Sequence, residues 1–439
     1  MEEEMEKKKH FLSWYFDSNL LYRILIGLVL GAIFGIVLAA ALKGDDLQKV
    51  LVWTSFFGNI FVRLLNMIML PIIISTLIVG ASSVSPANLG KIGIRIIIFY
   101  LITSAVAVII GLLMGTIFSP RAELAGFAEA AGREATQTKI TDILLNIIPT
   151  NVFAAIVNVT ILPIIFFALI FGLAISYLRL SKDQRIRNAA EAVYNFFDGV
   201  AEIIMKIIKG VMQYAPIGVF ALVAGVFATN GPKVIGALGV VTAACFIGYA
   251  LHVIVIYFGM LKVYGGMSIG RFIRDGKDPF FTALVTRSSN GTLPVTMEAA
   301  ENMGIRRDVY SFSLPLGATI NMDGTAIYQG VCAIFIALSV WGHNFSIAQM
   351  GLIVLTATLA SIGTAGVPGA GAIMLLMVLE SVGLPVQAGT ATAGAYAMIL
   401  GIDALLDMGR TALNVTGDLV CTTVVSKKLD MLDMSKWNS

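Results

Sequence analysis

Charge is what this sequence has least of. Only 13% of its 439 residues are Asp, Glu, Lys or Arg, about half the roughly 25% carried by an ordinary soluble domain, and that deficit excludes a water-soluble globule. Thirty basic residues against 27 acidic ones leave a formal charge of +3. That is too little to draw in a nucleic acid, so the positions of the charges matter more than their sum. Cysteine and histidine are also scarce, at three each. Cys245, Cys332 and Cys421 stand far apart in apolar stretches without a C-x-x-C pair, which argues against a redox or zinc site and for packing roles. His10, His252 and His343 have no second ligand at metal-site spacing and are expected in core or loop positions.

What remains is apolar: 57% hydrophobic residues at a mean hydropathy of +0.87. A helical span needs about 20 apolar residues, so a chain of this length threads a bilayer many times. The class is an all-α polytopic membrane protein, expected in the cell membrane. The first run, 24–42, ends in Ala39-Ala40-Ala41 but exceeds the roughly 7–15 residues of a signal-peptide core, and it reads as a retained span. Apolar runs bounded by charge or Pro/Gly clusters predict six spans near 20–42, 53–82, 94–118, 151–178, 196–228 and 234–262.

Lys and Arg close to membrane ends favour the cytoplasm. Lys7, Lys8, Lys9, Lys91, Arg95, Arg179, Lys182, Arg185, Arg187, Arg271, Arg274, Lys277, Arg306, Arg307, Lys427 and Lys428 all fall on one side, which places both termini inside. Lys43, Lys49, Arg121, Arg133, Lys139 and Lys233 are spread thinly opposite them. The segment 271–307 therefore begins and ends in the cytoplasm, and its apolar middle must enter and return around Arg287-Ser288-Ser289-Asn290-Gly291. Segment 349–385 is the mirror case, bending at 361–369. Two oppositely oriented re-entrant hairpins, each followed by a polar-interrupted span, read as an inverted repeat and bring the span count to eight. Non-helical backbone at that depth persists only against protein or a water-filled cavity. Gly27, Gly31 and Gly35, spaced four apart on one helical face, read instead as close helix packing.

The last span, roughly 390–426, carries Asp403, Asp407, Arg410, Thr411, Asn414 and Asp418. At about 100° per residue these six fall within a sector of about 100°. Ionisable groups at membrane depth face an interior and mark substrate or ion pathways. An Asp407–Arg410 pair at i, i+3 accounts for one acid and one base, not for three aspartates and an asparagine. A small zwitterion bearing an extra carboxylate fits the stripe: the arginine fork takes the carboxylate and an aspartate accepts from the ammonium. The surplus negative charge calls for small cations such as Na⁺ on hard oxygens. Asn321-Met322-Asp323-Gly324-Thr325 adds another interior acid, and an unwound turn there would free carbonyls. Arg287 either steers anions or snorkels to the surface.

Four strings, Arg287 to Thr296 (RSSNGTLPVT), Asn321 to Thr325 (NMDGT), Ser361 to Gly371 (SIGTAGVPGAG) and Asp407 to Asp418 (DMGRTALNVTGD), closely resemble the sodium-coupled glutamate/aspartate transporters, the dicarboxylate/amino acid:cation symporters. The likeness is nearest to the prokaryotic sodium/aspartate members and extends over the whole chain. It implies a homotrimer of elevator-type protomers carrying L-aspartate or L-glutamate. The scaffold would comprise 1–82 and 121–228, the transport domain 83–120 and 229–430, and residues 431–439 a cytoplasmic tail. Carried over residue by residue, the resemblance gives Arg410 the side-chain carboxylate, assisted by Thr325. Asp407 and Thr411 would hold the ammonium and Asn414 and Ser289 the main carboxylate, with Val367 and Gly371 backbone closing the pocket. It implies three co-transported sodium ions. One would lie among carbonyls of Gly317, Asn321 and Asn414 with the Asp418 carboxylate, and one among carbonyls of Thr319, Ser361, Ile362 and Thr364. The third would take Tyr100, Thr103, Ser104, Asn321 and Asp323. The second hairpin would be the outer gate.

Two departures stand out. Asn290 replaces a serine common at the first bend. Gln329 stands where animal glutamate transporters carry an acid linked to proton and potassium coupling, so sodium coupling without either is expected. An intramembrane aspartyl protease wants G-x-G-D, whereas the chain has Val415-Thr416-Gly417-Asp418, and no enzyme activity is expected. A cation channel also uses hairpins and cation ligands. A neutral amino acid or an amine-free dicarboxylate is the nearer alternative cargo, opposed by Arg410 and Asp407 respectively.

Overall fold

The computed structural model describes Ser18 and residues 20–83, 91–122, 145 and 147–438. Lys7, Lys8, Lys9, Arg133 and Lys139, used above for orientation, lie outside the described residues. Among the described residues the chain is helical, without a strand, and eight helices are long and apolar enough to cross a membrane. The first two are α1 (Leu20–Ala41) and α2 (Gly44–Ser83). At about 1.5 Å per residue, the 22 residues of α1 cover about 33 Å, close to a hydrocarbon core. Helix α2 starts earlier than the predicted 53, because Asp45 and Asp46 in its first turn suit the positive end of the helix dipole while masking the apolar run.

Helix α3 is Lys91–Phe118, and the predicted single span 151–178 is two helices, α4 (Val152–Val157) and α5 (Ile161–Leu178). The break sits at Val159, whose φ of 54° is left-handed and cannot continue a helix. Helix α6 (Gln184–Asn230) has 47 residues and starts well before the predicted 196. Its first turns alternate charged and apolar residues, and Asp183 caps them by accepting from the Arg185 N–H at 2.8 Å. Helix α7 (Val234–Leu251) runs on through two wide π-helical stretches, His252–Tyr257 and Met260–Tyr264.

Two helix pairs follow the predicted bends. Helices α8 (Ile269–Thr286) and α9 (Ser289–Asn302) pack on one another across a link at Arg287, left-handed at φ 55°. There the Ser288 hydroxyl accepts from the Gly291 N–H at 3.0 Å and starts α9. Helices α10 (Arg307–Ile320) and α11 (Asp323–Val340) are one crossing interrupted at Asn321 and Met322, both non-helical, so the expected unwound turn is present. The second pair, α12 (Ile347–Ser361) and α13 (Ala370–Ser381), precedes the long α14 (Ala391–Lys428) and a short α15 (Met434–Asn438). The tail docks rather than dangling: the Arg306 N–H donates to the Met431 carbonyl at 3.2 Å and the Asp433 N–H to Gly304 at 2.8 Å, and Trp437 is buried.

Packing divides the helices. Helices α1 and α2 lie along α6, and α5 along α2. A Cβ on Gly27, Gly31 or Gly35 would collide with the carbonyl oxygen of Pro216, Phe220 or Ala224, so the four-residue glycine spacing is a close α1–α6 contact, as expected. Helices α3 and α7 pack with α11 and α14, α10 packs with α14, and α8 and α9 lie against α14. Asn66 of α2 reaches across to the Val386 carbonyl at 2.7 Å.

Candidate functional site

The polar stripe of α14 faces inward along its whole length: Asp403, Asp407, Arg410, Thr411, Asn414 and Asp418 are all buried. Arg410 is the hub. Its Nε donates to Asp407 Oδ1 at 2.8 Å, and Nη1 and Nη2 donate to the two oxygens of Asp403 at 2.8 and 3.4 Å. The guanidinium lies over the Tyr328 ring, 4.6 Å from its centroid, a cation–π contact strengthened by desolvation. Three of roughly five guanidinium N–H groups are spoken for, which leaves two for another acceptor. A Cβ on Gly371 would sit 2.9 Å from the guanidinium carbon, so a side chain there would have to displace the guanidinium. Asp407 also accepts from the Thr411 hydroxyl at 3.2 Å and from the Gly369 N–H at 3.2 Å.

Next to this hub the two pair tips meet. The Ser288 hydroxyl and the Asn290 N–H both donate to the Gly366 carbonyl, at 2.8 and 3.1 Å. Ser289, Thr325, Val367, Gly371, Asp407, Arg410, Thr411 and Asn414 line one small cavity together with Arg287 and Met322, so every residue assigned above to the amino acid borders the same space. Its free interior is about 10 Å³, enough for about one water. Asn414 is fixed at its other end: its Oδ1 accepts from the Gly324 N–H at 2.7 Å, and its Nδ2 donates to Met322 Sδ at 3.1 Å and Thr325 Oγ1 at 3.4 Å.

Behind the cavity lie two further acids. Asp323 Oδ1 accepts from Ser104 at 2.7 Å, and its Oδ2 from Tyr257 at 2.7 Å, with His252 Nε2 at 3.2 Å. Thr103 donates to Asn321 Oδ1 at 3.3 Å, and Asn321 Nδ2 donates to Asp418 Oδ1 at 3.0 Å and to the Asn414 carbonyl at 3.4 Å. A Cβ on Gly317 would lie 2.6 Å from the Tyr100 hydroxyl and against the Asp418 carboxylate. Tyr100, Thr103, Ser104, Gly317, Asn321, Asp323, Asn414 and Asp418 thus form one continuous oxygen-rich cluster. Among the described residues no Lys or Arg pairs with Asp323 or Asp418, and an uncompensated buried carboxylate is costly. A small hard cation among these oxygens would relieve that cost. Among the described residues no three His, Cys, Asp or Glu side chains cluster. Of the remaining four residues, Thr364 borders the same small cavity, and the Thr319, Ser361 and Thr364 hydroxyls each donate to a backbone carbonyl three or four residues earlier, those of Leu316, Thr358 and Ala360. Ile362 packs against the small apolar cluster of Ile96, Tyr100, Leu316, Ile320, Cys421 and Val425.

Composition and spacing missed several partners. His252, expected in a core or loop position, is buried and lies 3.2 Å from Asp323, and the π-helical stretch of α7 that carries it also carries Tyr257, whose hydroxyl reaches the same carboxylate oxygen. Asp403 belonged to the predicted stripe without a role, and the fold gives it the outer half of Arg410. Tyr328 shares a helix with Thr325 and Gln329, and nothing in an apolar run marks it as a cation shelf.

The chain matches the sodium:dicarboxylate symporter family over residues 20–428. It is 35% identical to the proton/glutamate-aspartate symporter of Escherichia coli, covering 95% of this chain and 94% of that protein. It is 34% identical to the proton/sodium-glutamate symport protein of Geobacillus stearothermophilus, covering 93% and 94%. A more distant likeness, 31% identical over 86% of this chain and 74% of the other, is to the bovine neutral amino acid transporter B(0). With the match running through both helix pairs and the whole polar stripe, the chain belongs to the sodium:dicarboxylate symporter family.

Proposed function

We propose that this protein is a sodium-coupled symporter of acidic amino acids, L-aspartate or L-glutamate, and has no enzymatic role. The observation that carries the reading is Arg410: a buried guanidinium with two N–H groups to spare, bordering a cavity with Asp407, Thr411, Asn414, Thr325 and Ser289. Such a fork favours a side-chain carboxylate over a neutral side chain, which separates this chain's cargo from that named for the neutral transporter relative. Asp407 and Thr411 supply acceptors for the ammonium, Asn414 and Ser289 polar groups for the main carboxylate, and Val367 and Gly371 the closing backbone. Sodium takes the Asp323 and Asp418 cluster, with a third place among carbonyls of Thr319, Ser361, Ile362 and Thr364. Cation and amino acid share Asn414, so binding one organises the other's site.

The packing groups support an elevator: α1, α2, α5 and α6 as the scaffold, and α3, α7 and α8–α14 as the moving body. The docked tail travels with that body. An aspartate is far larger than about one water, so the 365–371 link must move to admit it, and the second helix pair is the gate. The homotrimer, the re-entrant and inverted arrangement of the two pairs, and cytoplasmic termini in the cell membrane complete the proposal by family resemblance.

Gln329 is buried on α11 and cannot titrate. Uptake into proteoliposomes, with internal pH and labelled substrate followed together, should show sodium-dependent entry of L-aspartate without stoichiometric proton entry. Protons moving in fixed ratio with substrate would contradict the coupling scheme. Preferential uptake of neutral amino acids would contradict the cargo.

A further inference from the structure

A second cleft, of about 170 Å³, adjoins the buried cavity. Arg287 and Val367 line both spaces, so the tips of the two helix pairs form the partition. The far wall of the cleft belongs to α6, where Lys209 and Gln213 line it. Asp403 also borders it, with its carboxylate committed to Arg410. Among the described residues neither the Lys209 ammonium nor the Arg287 guanidinium has a carboxylate within ion-pair distance. One cation therefore comes from each helix group, and both border a narrow cleft whose other walls are mostly Leu, Ile, Met, Phe and Val. Low-dielectric walls concentrate the field of such charges and raise the local concentration of an anion.

We propose that Lys209 and Arg287 form an outer carboxylate-docking subsite, occupied by the acidic amino acid on its way between solvent and Arg410. The inference rests on the acidic-substrate reading above. Lysine suits this step: it is a compact point charge on a flexible stem, able to hand a carboxylate on, whereas the planar fork of Arg410 holds it. Arg287 stands at the partition, held by its left-handed backbone at the end of α8, and so meets the carboxylate on both sides of the tips. Because the two cations belong to different helix groups, the subsite exists only while the groups are apposed as here.

The test is the association rate of labelled L-aspartate with the full-length protein in lipid nanodiscs. It is measured at fixed sodium while choline chloride raises the ionic strength, in wild type, Lys209→Gln and Lys209→Arg. At low ionic strength Lys209→Gln should associate about three- to tenfold more slowly, with dissociation slowed in parallel so that the equilibrium constant changes little. The gap should close as salt rises, and Lys209→Arg should restore the rate. Equal rates in wild type and Lys209→Gln at every salt, a weakened equilibrium constant without salt dependence, or no rescue by arginine would overturn the subsite. Failure of the wild type to bind L-aspartate in sodium would instead overturn the acidic-substrate reading.

Discussion

Replacing Arg410 by Ala lowers sodium-driven uptake of L-aspartate at least about 100-fold, the loss expected when one partner of a desolvated, hydrogen-bonded charge pair worth about 3 kcal/mol is removed. Two effects add. The substrate carboxylate loses its fork, and Asp403 and Asp407, both buried, lose the guanidinium that pairs with both of them. The second effect threatens the fold, so Arg410→Lys is the informative companion. Lysine keeps the charge but lacks the planar fork that spans Asp407 on one edge and Asp403 on the other, and it loses the stacked geometry over Tyr328. The lysine variant should remain folded, retain sodium binding, and still lose most aspartate uptake. Wild-type uptake by Arg410→Lys would show that net charge alone holds the carboxylate and would sink the clasp.

Asp418→Asn is expected to have the next largest effect, on the cation rather than the amino acid. Asp418 lies at the Asn321 amide and the Gly317 backbone, with no Lys or Arg compensating its charge among the described residues. A bound cation stabilises the folded protein in proportion to the logarithm of its concentration over its dissociation constant. Wild-type melting temperature should therefore climb with sodium. In Asp418→Asn the climb should be much flatter, and the sodium concentration for half-maximal aspartate binding should rise at least about tenfold, equivalent to about 1.4 kcal/mol. The amide also removes an uncompensated buried charge, so the variant should melt no lower than wild type in sodium-free buffer. A variant that loses aspartate binding while its sodium-dependent melting is unchanged would mean that Asp418 serves the fold or the substrate, not the ion.

Much of this arrangement is legible before any fold is known. Hydropathy finds the spans because a bilayer tolerates little else, and the phase of six polar residues on the last one already points them to a shared interior. The interruption at Asn321 and Met322 is legible as well, since a carboxylate followed by glycine has no other good reason to sit within an apolar crossing. Element starts are less so. Helices α2 and α6 begin in charged, amphipathic turns that hydropathy discards, and the break at Val159 depends on backbone geometry in a run whose side chains suit a helix. Pairing is the least legible of all. Asp403 and Asp407 are four residues apart, but that both close on Arg410 is a matter of rotamers. His252 meets Asp323 across 71 positions from a π-helical stretch of α7, a widening that hydropathy does not mark. The meeting of Ser288 with Gly366, 78 positions away, follows from two helix pairs converging, which no local pattern encodes.

Concentrative uptake tests the central claim most directly. Proteoliposomes holding the wild-type protein would be given an inward sodium gradient and labelled L-aspartate, with a parallel set carrying equal sodium on both sides. Accumulation of L-aspartate above its outside concentration, present with the gradient and absent without it, is the expected result. Entry that equalises the two sides and never exceeds them, with or without the gradient, would contradict symport and make the protein a passive pathway.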